Sequence, residues 1–398
     1  MAGVTYTSTF DGDALMEVIA RTILAGNAIQ DGIVRLHTNV NKKKEIPIAE
    51  MGISIQDSSC KFSDDEKGIN FTPRYLEPKG FKVNKELCFK NIKDTYFSWL
   101  QSRGEEGNYD STDLMEEFVI DWVSKNTNAF IDASIWVGSA NVNLKNVEIT
   151  ATTSVVAGIL PGLVADTEVQ KISTPSFTIN GISKATNAVL TVTTANTDIT
   201  VGTEITILSA LPSSWGAVLN NKTFKVLAIN GTATEFTINA DTSGASGTYT
   251  ADSAVGFFIN ENNVISVLTE AYVNLPEEVE EDPNFAFVTS KQVIKAYKLA
   301  CAKVANGAGA YVVGDREVDL LGYRLVRASY FPKNTIIASK IGEMGNLHFG
   351  TDLESENNDV KVKDMRDVTL DNTYRYSSMW EFDVNHTLGS EILLIKPQ

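Results

Sequence analysis

The stretch TDLMEEFVIDWVSKNTNAFIDASIW, residues 112–136, has the strongest helical pattern in the chain and decides how the rest is divided. Apolar residues recur every three or four positions along it and form one broad face, with charged residues on the other side. This pattern predicts a single long helix over 111–136. Its buried face is expected to hold the aromatic side chains Phe118 and Trp122, with Trp122 packed inward against a sheet formed partly by Thr373–Val384.

Upstream of this helix, residues 36–92 are predicted to be extended. Apolar residues mostly alternate with polar or small ones from Ile46 to Ile55, and a second extended run returns from Phe71 to Phe89 after a charged turn. Pro73 and Pro78 interrupt the return, and proline confines a strand to an edge or an exposed arm. The sequence therefore predicts a long hairpin that is poorly buried in its own subunit and lies across a neighbouring one.

The charged residues of this arm are its candidate contact residues. The basic run 42–44 could meet phosphate or an acidic loop of a neighbouring chain, although a solvated face is the more common role of such a run. The acidic cluster 64–66 lacks the spaced oxygen ligands and central glycine of a calcium loop. The residues expected at the assembly interface are Lys42, Lys43, Lys44, Asp64, Asp65, Glu66, Arg74, Lys79 and Phe81.

Residues 171–250 differ in composition from the rest of the chain. Eight of these 80 residues are charged, or 10%, against 21% for the whole protein. Short apolar runs alternate with turns such as Asn180-Gly181 and Asn230-Gly231, which tolerate positive φ. This pattern predicts an inserted all-β domain, a compact sandwich or barrel. The apolar segments 163–169 and 254–259 are expected to pair as strands that bring its ends together.

A second helix is predicted from about residue 290 to 306, with Tyr297 on its apolar face. The remaining segments favour strands, including a long one over Thr373–Val384. The chain is therefore predicted to be α+β.

The overall charge and the cysteines restrict the function classes. Thirty-four basic and 50 acidic residues give a net charge of −16, which argues against a dedicated nucleic-acid binder. Three widely spaced cysteines suggest neither a disulfide framework nor a zinc site, and they favour a reducing compartment. No apolar run is long enough to span a bilayer, and the N-terminus lacks a signal-peptide pattern.

No group of residues in the sequence indicates catalysis. His37, His348 and His386 lie far apart in the sequence, and none belongs to an HExxH pattern. The glycine clusters follow a helix or lie between strands, whereas a phosphate-binding loop must precede a helix. We therefore expect no enzyme activity, cofactor or metal.

Four stretches, in this order, resemble the major capsid proteins of tailed bacteriophages with the Hong Kong 97-type fold. They are LEPKGFKVNKELCFKNIKDTYFSWL (76–100), the helical stretch 112–136, FVTSKQVIKAYKLACAK (287–303) and GYRLVRASYFPKNTIIASKIGEMGNLHFGTDLES (322–355). The first is similar to the return strand of the family's extended loop and the entry into its peripheral domain. The second resembles the spine helix, the third the helix of the axial domain, and the fourth the strands before the last peripheral-domain strands.

The resemblance implies a division of the chain into five parts. These are an N-terminal arm (1–35), an extended loop hairpin (36–92), a peripheral domain (93–150 and 352–398), an axial domain (151–170 and 251–351), and the insert (171–250). The insert is similar to the small, Ig-like β domains of phage virion proteins. It is expected on the outer face of the axial domain, because an inward position would crowd the genome.

The function implied by the resemblance is structural. Subunits would form the pentamers and hexamers of an icosahedral phage head around double-stranded DNA, with scaffolding and portal proteins as partners and decoration proteins as further candidates. Assembly would take place in the cytoplasm of the host bacterium. A bacterial nanocompartment shell of the same fold is the nearest alternative, and a phage tail or adhesin protein is the alternative from another class.

Overall fold

The computed structural model of the chain describes residues 26–51, 69–104, 112–144, 147–150, 155–209, 213–247, 249, 254–279, 282–304, 317–352, 360–365 and 371–397. Most of the predicted N-terminal arm and the acidic residues Asp64, Asp65 and Glu66 lie outside these ranges. Within them, helices α1 to α7 are Asn27–Gln30, Phe89–Arg103, Thr112–Val137, Ile159–Ala165, Ser213–Leu219, Val264–Val273 and Lys291–Val304. Strands β1 to β10 are Arg35–His37, Lys44–Met51, Ile69–Leu76, Lys79–Cys88, Gln170–Ser173, Ser176–Ile179, Gly181–Ile182, Val189–Thr191, Glu204–Leu208 and Lys222–Ile229. Strands β11 to β20 are Glu235–Ile238, Ala254–Phe258, Phe285–Thr289, Glu317–Leu320, Tyr323–Arg327, Ile336–Lys340, Leu347–Thr351, Val360–Asp364, Thr373–His386 and Leu393–Lys396.

These elements divide into two compact units. One comprises the chain up to Gly162 together with Leu347–Thr387, and the other comprises Leu163–Asn346 together with Leu388–Gln398.

The first unit is built on a five-stranded sheet in which the 14-residue strand β19 is central. One edge of β19 pairs with β4, and the other pairs with β18 and then β17. Every second side chain of β19, from Tyr374 to His386, is buried, as expected for a strand with one face on a core. The long strand predicted at 373–384 is therefore present, two residues longer.

The hairpin of the first unit is shorter than the sequence predicts. Strands β2 and β3 pair from Lys44↔Leu76 to Met51↔Ile69 and form a two-stranded sheet of their own. The remaining predicted half, β4, instead pairs with β19 over ten residues. Pro78 lies between β3 and β4, where its fixed φ and missing N–H separate the two strands.

Helix α3 matches the helix predicted at 111–136, but one of its expected core residues is wrong. Phe118 is 4% exposed, whereas the Trp122 ring is 43% exposed and stacks on Phe118 at a centroid distance of 6.2 Å. The fully buried tryptophan of the helix is Trp136. Helical spacing alone places both tryptophans near a broad apolar face, and only the packing shows which of them is covered.

The second unit contains a six-stranded sheet in the order β14-β15-β13-β16-β20-β5. Helices α6 and α7 contribute to the apolar core on one face of it, together with Phe285 and Phe287. Strand β20, expected in the peripheral domain, pairs here with β16 and β5. Its residues Leu393, Leu394 and Ile395 are all buried, so the run is apolar on both faces, which is typical of an inner strand.

The low-charge segment forms a module with its own core. Its seven strands are ordered β6-β12-β9-β10-β11-β8-β7. The first half of β10 pairs with β9 and the second half with β11, with a register shift between Val226 and Ala228. A strand that bends between two sheets in this way makes the corner of a sandwich or barrel. The cluster inside includes the fully buried Trp215 and Phe236.

The predicted pairing of the module's flanks is wrong. Residues 163–165 belong to helix α4, and β12 lies inside the module's sheet between β6 and β9. The ends of the module nevertheless meet, because the Phe258 N–H donates to the Pro175 carbonyl at 3.2 Å. The module therefore extends to Phe258, and a short apolar run such as AVGFF does not indicate from sequence which sheet it joins.

Within the described ranges, no helix has the length and apolarity needed to cross a membrane.

Candidate assembly surface

The base of the β2–β3 hairpin carries a cluster of exposed charges. Lys43 Nζ lies 2.9 Å from Glu77 Oε1 and 3.7 Å from the centre of the Tyr75 ring, and Lys79 Nζ lies 3.7 Å from Glu77 Oε2. The hydrogen bond with Lys43 lowers the pKa of Glu77, and the same contact raises the pKa of Lys43. Two predicted interface lysines therefore share one carboxylate at the point where the hairpin leaves the sheet, whereas Lys42 is exposed beside them.

The third lysine of the run faces the other way, into a pair of histidines. Lys44 Nζ lies 3.0 Å from His37 Nδ1, and His37 Nε2 lies 3.0 Å from His348 Nδ1. The two imidazole rings stack with their centroids 5.2 Å apart. His348 is 2% exposed, and its Nε2 lies 3.3 Å from Thr387 Oγ1.

Burial and positive neighbours keep these histidines neutral. Burial is the main reason that the pKa of His37 falls to about 4, and the charges of Lys44 and Arg35 add to it. Burial likewise lowers the pKa of His348 to about 3, with further contributions from His37, Arg35, His386 and Lys44. Protonation of either ring would add a positive charge near Lys44 and Arg35 in a partly buried site.

Strand pairing explains why histidines that are distant in the sequence meet. Strand β1 lies parallel to β17 with Arg35 opposite His348, and β17 lies antiparallel to β19 with Leu347 opposite His386. His37 and His348 are 311 positions apart, so the sequence interpretation of three unrelated histidines missed the cluster. The alternation of β19 was the one available signal, because it places His386 on the buried face.

Backbone contacts hold the base of the hairpin against β19. The Glu77 N–H donates to Asp383 Oδ2 at 2.8 Å, and Asn385 Nδ2 donates to the Tyr75 carbonyl at 2.8 Å. Burial raises the pKa of Asp383, with the Glu77 amide opposing that shift. Leu76 is fully buried and packs over Gly350. Among the described residues, these contacts fix the root of the hairpin against the sheet.

Other predicted residues have different surroundings. Phe81, expected at the interface, is 8% exposed within its own chain, and its ring centroid lies 5.5 Å from that of Phe130 and 5.1 Å from that of Phe382. Arg74 is partly buried on β3. Tyr297 is partly buried against the core of the second unit, and its hydroxyl donates to the Asp319 carbonyl at 3.4 Å.

A buried amide network joins the β module to the six-stranded sheet in the second unit. Asn334, which is 0% exposed, accepts hydrogen bonds at Oδ1 from the Ile259 N–H and from Gln292 Nε2, each at 2.8 Å. Its Nδ2 donates to Thr206 Oγ1 at 2.9 Å and to the Glu204 carbonyl at 3.1 Å. Its φ of 57° lies in the left-handed region that Asn tolerates better than most residues. This side chain was not predicted, because nothing in the local sequence indicates its partners.

Among the described residues, no group of three or more His, Cys, Asp or Glu side chains is arranged to hold a metal ion.

Comparisons with known proteins give likenesses among solved structures. No protein-family model matches the chain, and no curated protein matches it. A satellite phage P4 procapsid structure that includes the size determination (Sid) protein matches at 11% identity with a TM-score of 0.45, over 96% of this chain and 99% of that one. The capsid of an empty GTA particle matches at 9% identity with a TM-score of 0.47, over 100% of this chain and 95% of that one. A structure of Gordonia phage Cozz matches at 10% identity with a TM-score of 0.46, over 94% of this chain and 87% of that one. At these identities and TM-scores, the likenesses assign no function by themselves.

Proposed function

We propose that this chain is a major capsid protein that assembles into the pentamers and hexamers of an icosahedral phage head around double-stranded DNA. The observation that carries the proposal is the β2–β3 hairpin. It forms a sheet of two strands, separate from the three larger sheets of the described residues. An isolated two-stranded hairpin is marginally stable in water, so it needs a surface to lie on.

The side chains of the hairpin support an intermolecular role. Of its residues with described burial, only Ile48 and Leu76 are buried, whereas Pro47 and Tyr75 are exposed. An exposed strand edge invites pairing with another chain, and proline on such an edge limits uncontrolled pairing. A subunit that places this arm on a neighbour covers the exposed apolar surface and links the two copies.

The net charge agrees with a container for nucleic acid. A chain with a charge of −16 repels the phosphate backbone, so the wall would enclose DNA without adhering to it. Scaffolding and portal proteins would then guide assembly in the host cytoplasm.

The β module would project from the outer face of the shell, where it interrupts neither tiling nor the packaged genome. Its own core makes it independent of contacts with neighbours. Its Thr- and Ser-rich surface is compatible with a decoration partner or weak adhesion to a host surface.

Negative-stain microscopy of the purified recombinant protein tests the proposal. Closed shells, capsomers or tubes are the expected result, and small particles of a single chain at every concentration and salt would contradict it. Shells that contain a protein cargo, with no nuclease-protected DNA after phage production, would instead favour a nanocompartment.

A further inference from the structure

Helices α6 and α7 of the second unit bury one side each and expose patterned outer faces. Both contribute to the core over the six-stranded sheet, through residues such as Val267 and Leu268 of α6 and Val293 and Ile294 of α7. The outer faces of the two helices carry opposite charges and large exposed apolar side chains.

The outer stripe of α7 is basic. Lys291, Lys295, Leu299 and Lys303 recur every fourth residue, a spacing that keeps them on one side of a helix, and all four are exposed. Leu299 is 54% exposed in the middle of this stripe. Lys303 pairs with Glu261 at 3.5 Å, whereas Lys291 and Lys295 form no ion pair within the described part of the chain.

The outer stripe of α6 is acidic and more apolar. Ile265 is 41% exposed and Val273 is 73% exposed, and Glu270 lies exposed between them. Glu277, exposed in the short 3₁₀ turn that follows, extends the acidic surface. Neither glutamate side chain forms an ion pair with the residues that the structure describes.

We propose that the α6 stripe of one copy packs against the α7 stripe of a second copy. Glu270 and Glu277 would face Lys291 and Lys295, and Leu299 would pack between the exposed apolar residues of α6. The inference rests on the proposed function, and the contact would join neighbouring copies within a pentamer or hexamer.

A second copy fits both stripes for three reasons. The two charge sets are complementary, and Glu270, Glu277, Lys291 and Lys295 form no ion pair with the described residues of their own chain. The overall charge of −16 makes copies repel, so approach is favoured where a basic stripe meets an acidic one. The stripes lie on different helices. When α6 of one copy pairs with α7 of the next, the α7 stripe of the first copy and the α6 stripe of the second are still available to further copies. Repeated head-to-tail contacts of this kind can close a ring.

Charge reversal tests this contact. The variant Lys291→Glu/Lys295→Glu should reduce the assembled fraction about ten-fold, since like charges then face each other. Glu270→Lys/Glu277→Lys should do the same, and the variant with all four changes should restore assembly. The matched control is Lys184→Glu/Lys222→Glu, which makes the same charge change at exposed lysines of the β module and should assemble like the parent protein.

Sedimentation velocity gives the assembled fraction, and circular dichroism melting shows that each variant is folded. Normal assembly of either reversed pair, or no rescue by the fourfold variant, would overturn the α6–α7 contact while leaving the capsid proposal standing. A parent protein that never assembles would overturn both.

Discussion

The β2–β3 hairpin and the β module are both made of short strands, yet they meet the need for burial in opposite ways. The module closes seven strands around Trp215 and Phe236, which are 1% and 0% exposed. In the described part of the chain, the hairpin has two strands, and Asp383, Asn385 and Leu76 hold its root. The module is therefore complete within its own chain, whereas under the proposed function a neighbouring copy covers the hairpin.

Removing each region in turn tests most strongly whether the hairpin, and not the module, is needed for assembly. Replacing residues 45–75 with a short Gly-Ser linker should abolish assembly while the rest of the chain still folds. Replacing residues 176–258 in the same way should preserve assembly, because Pro175 and Phe258 lie side by side and a short linker bridges them. Microscopy and sedimentation measure both outcomes. Assembly without the hairpin, or its loss without the module, would reverse the assignment.

Two tryptophans of α3 allow a buried side chain and an exposed one to be compared on the same helix. Trp136→Ala should destabilise the chain by about 3–5 kcal/mol, since it removes a fully buried ring. Trp122→Ala should leave the melting temperature nearly unchanged and weaken assembly instead, because its ring is 43% exposed. Thermal melting and sedimentation of the matched pair provide the check. A large loss of stability from Trp122→Ala would mean that its ring is covered within the chain.

Asn334 is a central residue in the attachment of the module. Asn334→Ala leaves the Ile259 amide and the Gln292 side chain without their buried acceptor, so we expect a loss of about 3 kcal/mol. Thr232→Ala, an exposed position of the module, is the control. Equal melting temperatures for the two variants would show that water replaces the network.

The smallest effect concerns pH at the root of the hairpin. The pKa of His348 is about 3 when folded against an ordinary value of 6.5, so the unfolded chain binds more protons below pH 6.5 and stability falls as the pH decreases. This loss should reach about 2 kcal/mol between pH 6.5 and 5. Asp132 acts in the opposite direction, because burial raises its pKa to about 6.

Denaturant unfolding of His348→Gln and the parent protein at both pH values isolates the histidine contribution. The variant should lose less stability than the parent as the pH falls. Identical pH slopes would show that folding does not lower the pKa of His348.

Local patterns predicted the elements that depend on local periodicity. The spacing of α3 and the alternation of β19 each indicated the right kind of element. The low charge of residues 171–250 indicated the strands of the module, but the expectation of an all-β domain missed its helix α5, which supplies Trp215 and Leu219 to the core. Patterns could not predict which strand pairs with which. Strand β4 joined β19 and not the hairpin, β12 joined the module, and β20 joined the second unit, because each pairing links residues distant in the sequence.

The same limit applies to the candidate site. The basic run was evident from the sequence, but the split between Lys43 on Glu77 and Lys44 on His37 follows from strand pairing. The burial of Phe81 and the exposure of Trp122 differ from expectation for a related reason: an aromatic residue at the right spacing indicates an apolar face, and only packing decides whether the same chain covers that face.

A cryo-microscopy reconstruction of the assembled protein would show directly whether the hairpin contacts a neighbouring copy. The measurement is the surface that the hairpin Lys44–Met51 with Ile69–Leu76 buries against other copies. We expect the hairpin to lie across a neighbouring copy, within an interface that buries more than about 1,000 Å² in total. A hairpin folded wholly onto its own subunit, with no contact to another copy, would contradict it.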